Sequence, residues 1–352
     1  MRILVYGAGV LGSLYAARLQ ESGHGVSILA RGQRLADLRE HGIVLEDLNT
    51  GRRTTTRANV VEQLVPEDDY DLVVVLLPRN HVSEALPALA ANHHTPNVLF
   101  MGNNAAGPEE MIEALGRERV LLGFPSAGGT RERHVVRYIA AEGRRRFAIT
   151  MGELDGHTTP RLERITETFE GAGFPVTISP NMDAWLKTHV ALILSIGGAL
   201  YMAGGDNYRL ARTRDAVVLM IRAMHEGFRV LRALGIPITP SSLKMFEWIP
   251  EPILVALIQR KFNSEAVEAA FGHANAAREE GKHLRNEFGA LARSASVPTP
   301  TMDRLRTYVN RTVPPVAEGS AQIAVDWRGV WIGLGALAGL VLVLIFVSKS
   351  LF

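Results

Sequence analysis

The sequence predicts an α/β domain at the N-terminus, an all-α domain after it, and one apolar C-terminal helix able to span a membrane. Three observations carry this reading. Strand-like runs alternate with helical periodicity from Met1 to about Phe124. After Pro180 the helical periodicity continues without strand signals, and Gly329 to Val347 contains no charged residue. At 352 residues the chain has room for two cores, since one domain takes about 150 residues. The expected boundaries are residues 1–179, 180–309, a linker over 310–328 and a transmembrane helix over 329–347.

Taken in order, Ile3 to Tyr6 reads as a strand, Leu11 to Ser22 as an amphipathic helix and Gly25 to Ala30 as a second strand, the opening of a parallel βαβ unit. The run Tyr70 to Leu77 is apolar throughout, as befits a strand buried on both faces, and Pro78 ends it. Asn97 to Met101 repeats that pattern, with helical spacing over Val82 to Ala91 and Gly107 to Leu115. Val135 to Ala140 and Phe147 to Gly152 read as further strands, with Arg144-Arg145-Arg146 in a solvated turn between them. Helices are expected over Ala184 to Tyr201, Arg214 to Leu234, Pro252 to Gln259 and Glu265 to Ala295.

The C-terminal run of 19 residues covers roughly 28 Å at about 1.5 Å per residue, close to the hydrocarbon thickness of a bilayer. Trp327, Arg328 and Trp331 stand at its start and Lys349 at its end, as interfacial anchors do. The N-terminus begins directly with a strand, so the soluble domains are expected on the cytoplasmic side of a membrane that the C-terminal helix anchors to.

Composition narrows the function classes. The chain has no cysteine, which excludes disulfides, thiol catalysis and Cys-ligated zinc. A net charge of +2 gives no footprint for a polyanion, so nucleic acid is not an expected partner. His93-His94 has no carboxylate partner at ligand spacing, and no metal site is expected.

The chemistry is carried by Gly7-Ala8-Gly9-Val10-Leu11-Gly12, a G-x-G-x-x-G that follows a strand and opens a helix. The first glycine permits the tight turn, the second lets a pyrophosphate approach the backbone, and the third lets helix and strand pack closely. This is the fingerprint of a Rossmann domain, with phosphates seated on a helix N-terminus. Nineteen residues past Gly12, where an NAD enzyme places an acid for the ribose hydroxyl, stands Arg31. A guanidinium there pairs with the 2′-phosphate of NADP, a charge-assisted contact worth about 1.5–3 kcal/mol. NADPH/NADP is therefore the expected cofactor, and Arg34 could share the phosphate.

With the glycine motif and Arg31, the segment Met101-Gly102-Asn103-Asn104-Ala105-Ala106-Gly107 and the run Ala184-Trp185-Leu186-Lys187, the chain from Met1 to about Tyr308 resembles the ketopantoate reductase family. The resemblance implies a Rossmann domain joined to a helical substrate and dimerisation domain, with a homodimer left open. It implies that Asn103 lies near the nicotinamide and that Lys187 donates the proton to the carbonyl being reduced. An ammonium at that oxygen stabilises the alkoxide left by hydride transfer.

The chain departs from the family pattern on the substrate side. Pro78 stands where the family has a lysine, with Arg79 next to it, and Ala191 and Ser195 replace two asparagines. Ala277-Arg278-Glu279-Glu280 corresponds only loosely to the family's threonine-glutamate-isoleucine-aspartate stretch. His189 and Ser195 are candidate substrate contacts, and Gly204 to Arg209 is either a substrate-side loop or an ordinary helix-helix turn. The expected activity is NADPH-dependent reduction of a ketopantoate-like 2-oxo acid, a small-molecule carbonyl, to the 2-hydroxy acid. The alternative is a membrane-tethered NADP-binding sensor or scaffold without turnover.

Overall fold

The structure, a computed structural model, describes residues 1–140, 148–265, 267 and 278–332. Two compact units divide the chain: residues 1–191 with 269–294, and residues 192–268 with 295–352. The expected boundary at 179/180 therefore differs in two ways. The first turns of a long helix belong to the N-terminal unit, and so does a helix from late in the chain.

The N-terminal unit is built on twelve strands: β1 Arg2–Tyr6, β2 Gly25–Leu29, β3 Ile43–Asp47, β4 Arg53–Thr56, β5 Asn59–Val61, β6 Leu72–Val75, β7 Val98–Met101, β8 Val120–Phe124, β9 Ala127–Glu132, β10 Val135–Ala140, β11 Ile149–Gly152 and β12 Val176–Ile178. Eight of them form one sheet in the order β12-β11-β8-β7-β6-β1-β2-β5, parallel except where β11 meets β8. The neighbours β1, β6 and β7 are buried from end to end apart from Arg2, because helices cover both faces. Those helices are α1 Val10–Glu21, α2 Gly32–His41, α3 Val82–Ala91, α4 Glu109–Leu115 and α5 Pro160–Gly171. The topology is that of a Rossmann domain.

The remaining strands form a second sheet, β4-β3-β10-β9. The β3–β4 hairpin turns at Asn49 to Arg52, where Asn49 N–H donates to Asp47 Oδ1 and Gly51 takes a φ of 68°. Sequence periodicity misses this hairpin because β4, Arg-Thr-Thr-Thr, buries only its last residue. Val135 to Ala140 forms a strand as expected. Arg144-Arg145-Arg146 lies outside the described residues.

Helix α6, Met182–Met202, crosses the unit boundary at Ala191. Among the described residues it is the helix long and apolar enough to cross a membrane, yet two-thirds of it is buried inside the protein, as in the core helix of a water-soluble fold. The second unit continues with α7 Asn207–Arg212, α8 Arg214–Ala233, α9 Met245–Trp248 and α10 Glu251–Phe262. Next in the chain comes α11, Arg278–Ser294, which packs with the N-terminal unit, and α12, Pro300–Thr307, which returns to the second. Of the segment Gly204 to Arg209, Gly204 to Asp206 lie in the turn between α6 and α7, and Asn207 to Arg209 open α7, which Asp206 caps.

Residues 310–328 are not the free linker that their composition suggests. Buried Asp215 accepts from Ser320 Oγ, Gln322 N–H at 3.0 Å and Ile323 N–H at 2.8 Å. Arg222 holds Glu251 through two bonds of 2.9 and 2.8 Å and donates to Ala324 O, while Glu251 accepts from Asp326 N–H. Of the expected transmembrane helix, only residues 329–332 are described, in a helical turn, and residues 333–352 lie outside the described residues.

Glu226, 3% exposed on α8, caps α12 from outside: both its oxygens accept from Thr301 N–H at 2.9 Å and one from Met302 N–H. The cap residue Thr299 supplies no side-chain bond of its own. Glu226→Ala should lower the stability of this unit by about 2–3 kcal/mol, because buried amides lose a charged acceptor. Urea unfolding followed by circular dichroism measures that loss, and an unchanged midpoint would show that water replaces the cap at no cost.

Candidate active site

The glycine turn is shaped by what surrounds it. Gly7 has a φ of 123°, and a Cβ there would meet Leu76 O at 2.5 Å. At Gly12 a Cβ would occupy the place of the Gly7 carbonyl oxygen, so α1 can approach β1 only without a side chain. Gly9 is the opposite case, because a Cβ there would meet nothing within 4 Å. Gly9 is also the N-cap of α1 and offers no side-chain cap, with no acid in the first turn. Ala8, Val10 and Leu11 are half-buried between these points. The helix thus presents uncapped N–H groups and its positive end to open space.

That space is a groove of about 420 Å³ lined by Gly7, Ala8, Gly9, Ala30, Arg31 and Arg131, among others. Arg31 is exposed at the N-cap position of α2, with no side-chain cap bond, at the end of the second strand, where sequence places it. Arg34 is not a surface residue. It is 8% exposed, and its guanidinium donates to Ala8 O at 3.1 Å, His134 O at 3.2 Å and Ser13 Oγ at 2.8 Å. All three acceptors are neutral. Burial, aided by repulsion from Arg131, lowers its pKa to about 10. Arg34 therefore holds the glycine turn to α1 and the second sheet, leaving Arg31 and Arg131 as the exposed cations of the groove. Sequence reading missed Arg131, which reaches the groove only because β9 belongs to a sheet that periodicity did not reveal.

A second constellation gathers around Arg79, which is 4% exposed in the turn after Pro78. Its Nε lies 2.8 Å from Glu287 of α11 and its Nη2 3.2 Å from Glu110 of α4. The backbone N–H of Arg79 donates to Glu280 Oε1, which also accepts from Asn103 Nδ2 at 3.1 Å. With its amide nitrogen engaged, Asn103 keeps a buried Oδ1 that has no hydrogen-bond partner. Ala105 N–H and Ala106 N–H donate to Glu287, and Asn104 closes the loop on the backbone of Gly107. Arg79 thus faces inward and does not stand in for the strand-end lysine. Glu280 and Glu287 stand two helical turns apart on one face of α11, a spacing visible in the sequence once that helix is placed.

Lys187 is 8% exposed, and its Nζ donates to Asp183 Oδ2 at 2.5 Å, one helical turn earlier. Asp183 Oδ1 lies 3.5 Å from where a side chain on Gly107 would begin, which sets the lysine pair against the end of the Asn103 loop. His189 does not point to a polar contact. Its ring stacks on Trp185 at 5.2 Å and 8° and meets Phe124 at 4.2 Å. Burial lowers its pKa to about 4, so it is a neutral aromatic neighbour at ordinary pH. Ser195 is 1% exposed and Ala191 fully buried, both on the packed side of α6.

The family profile of ketopantoate reductase PanE/ApbA matches residues 3–156. A 2-dehydropantoate 2-reductase of Halobacterium salinarum is 30% identical over 246 residues, 68% of this chain and 78% of its own length. One of Pyrococcus horikoshii is 25% identical over 253 residues, covering 70% and 78%. The fold matches a 2-dehydropantoate 2-reductase of Methylococcus capsulatus with a TM-score of 0.66 at 18% identity, over 87% of this chain and 95% of that one. It also matches D-mandelate dehydrogenase solved with NADH and anilino(oxo)acetate, with a TM-score of 0.72 at 17% identity, over 88% and 97%. With a turn built for a dinucleotide and relatives along most of its length, the chain belongs to the ketopantoate reductase PanE/ApbA family of NADP-dependent oxidoreductases.

Proposed function

We propose that the chain reduces a 2-oxo acid of the ketopantoate type to its 2-hydroxy acid, with NADPH bound along Gly7–Gly12 and Lys187 as proton donor. The observation that carries the reading is the Lys187–Asp183 pair at the end of the Asn103 loop. The residues fit the cofactor, because Gly9 opens onto the groove, α1 offers uncapped N–H groups, and Arg31 and Arg131 stand at its rim. NADPH supplies the hydride. The protein's part is to bind, orient and protonate.

Lys187 is suited to that part. Asp183 holds its ammonium in one orientation on α6, so little reorganisation is needed when charge develops on the substrate oxygen. Glu280 fixes the amide of Asn103 so that Oδ1 is the end left to accept from a bound group. With Ala191 and Ser195 buried on α6 and no amide at either position, the reading favours a 2-oxo acid with a less polar tail than pantoate. The run 329–347 is read as a single-pass anchor that keeps the soluble domains on the cytoplasmic face.

Turnover of NADPH against a panel of 2-oxo acids, ketopantoate among them, tests the reading. Lys187→Ala should cut kcat by about 10²–10⁴ while NADPH binding stays intact. NADPH binding with no turnover in the wild type would favour a tethered sensor. Arg31→Asp should lower the preference for NADPH over NADH by about tenfold or more, since a phosphate partner becomes a repulsive carboxylate. An unchanged ratio of dissociation constants would remove Arg31 from the phosphate site.

The pH dependence of stability tests His189. The folded chain binds this proton only near pH 4, whereas an unfolded chain binds it near 6.5. Acid therefore favours unfolding through this residue as the pH falls from about 6.5 toward 4. His189→Phe keeps the aromatic stack and should flatten the fall in Tm over that window. An equally steep fall in the variant would assign the acid sensitivity to other groups.

A further inference from the structure

We propose that the face of the second unit formed by α9, the exposed side of α10 and residues 327–332 is a membrane-contact surface that rests on the lipid headgroup region beside the anchor. The proposal builds on the reading of 329–347 as an anchor and adds a second, peripheral point of attachment on the folded protein.

Its apolar residues are large and exposed: Trp248 at 83%, Ile253 at 48%, Leu257 at 52%, Trp327 at 55% and Trp331 at 67%. They are not scattered. A side chain on Gly329 would begin 3.4 Å from Pro250 Cβ, so the turn at 327–332 packs against the chain between Trp248 and Ile253. Asp326 N–H donates to Glu251 Oε1 at 2.9 Å and fastens the same crossing one residue further on. Leu257 lies one helical turn beyond Ile253, about 6 Å along α10. On that helix Leu254, Val255, Ile258 and Phe262 are buried against the unit, which leaves Ile253 and Leu257 on the outer side.

Three features select lipid as the occupant. The uncharged run Gly329 to Val347 starts at this crossing, and wherever it enters a bilayer the residues packed on Gly329 come within a few ångströms of the surface. Two tryptophans of the turn and a third on α9 supply the amphipathic rings that settle at headgroup level. Lys244, which precedes α9, and Arg260 and Lys261 of α10 are exposed, a basic fringe suited to anionic headgroups. Arg222 and its bond to Ala324 O hold residues 320–326 to the unit, so the patch is continuous with residues 327–332, which lead into the uncharged run.

The chain has no cysteine, so full-length Leu257→Cys carries a single spin label at an exposed position. It is reconstituted into phosphatidylcholine vesicles containing phosphatidylglycerol, and a label at Glu67→Cys, an exposed residue of the N-terminal unit, serves as the aqueous reference. The expected result is flotation with the vesicles and a ratio of oxygen to nickel-chelate accessibility about tenfold higher at 257 than at 67, as for an interfacial helix. Flotation with equal ratios would overturn the contact surface and leave the anchor standing. Flotation with an immobilised label and dipolar broadening between labels would overturn it in favour of a second copy of the chain on the patch. A protein that does not float at all would overturn both the surface and the anchor.

Discussion

The buried guanidinium of Arg79 organises the N-terminal unit beyond its own neighbourhood. A cation with 4% exposure is costly unless carboxylates meet it, and removal of one partner of such a pair typically costs about 3–5 kcal/mol. Here the carboxylates come from α4, about thirty residues on, and from α11, some two hundred residues later. The pairing draws Arg278–Ser294 out of the helical region that its sequence position suggests and makes it part of the unit that carries the cofactor groove. Once α11 is there, Glu280 reaches Asn103 and Glu287 reaches the amides of the next loop. The orientation of the Asn103 side chain is thus tied to an ion pair two helical turns away along α11.

Legibility in the sequence follows the range of the forces involved. The glycine turn, the first two strands and Arg31 could be placed because their causes are local: a steric need for hydrogen at Gly7 and Gly12, and a cation where an acid is usual. Lys187 could be placed only through resemblance, and nothing in its spacing announces Asp183 as more than a helical neighbour. The second sheet was only partly legible: β10 reads as a strand, but β4 and β9 bury little, and β3 and β10 pair across ninety residues, which no local periodicity signals. Arg131 and the true environment of Arg34 went unread with it.

The apparent losses on the substrate side take on a different meaning in the fold. Pro78 replaces a lysine, yet the next residue is an arginine fully engaged by carboxylates, so the site has not simply moved its cation by one position. Ala191 and Ser195 are buried on α6, where amides would need partners, and His189 is packed among aromatic rings. On the proposed mechanism, charge would be retained where proton donation needs it, at Lys187, and absent where recognition of a polar tail would need it. That pattern separates the reaction from its specificity.

Attachment to a bilayer and a less polar substrate would be one adaptation rather than two. The strap from Ser320 to Asp326 is fixed to buried Asp215 and half-buried Glu251, so a membrane that held residues 327–332 would hold the whole helical unit in a set orientation. A flexible linker could not do this, because its ends would sample every orientation of the unit. On that proposal, the acids under the strap would be the features that distinguish an oriented protein from a merely tethered one.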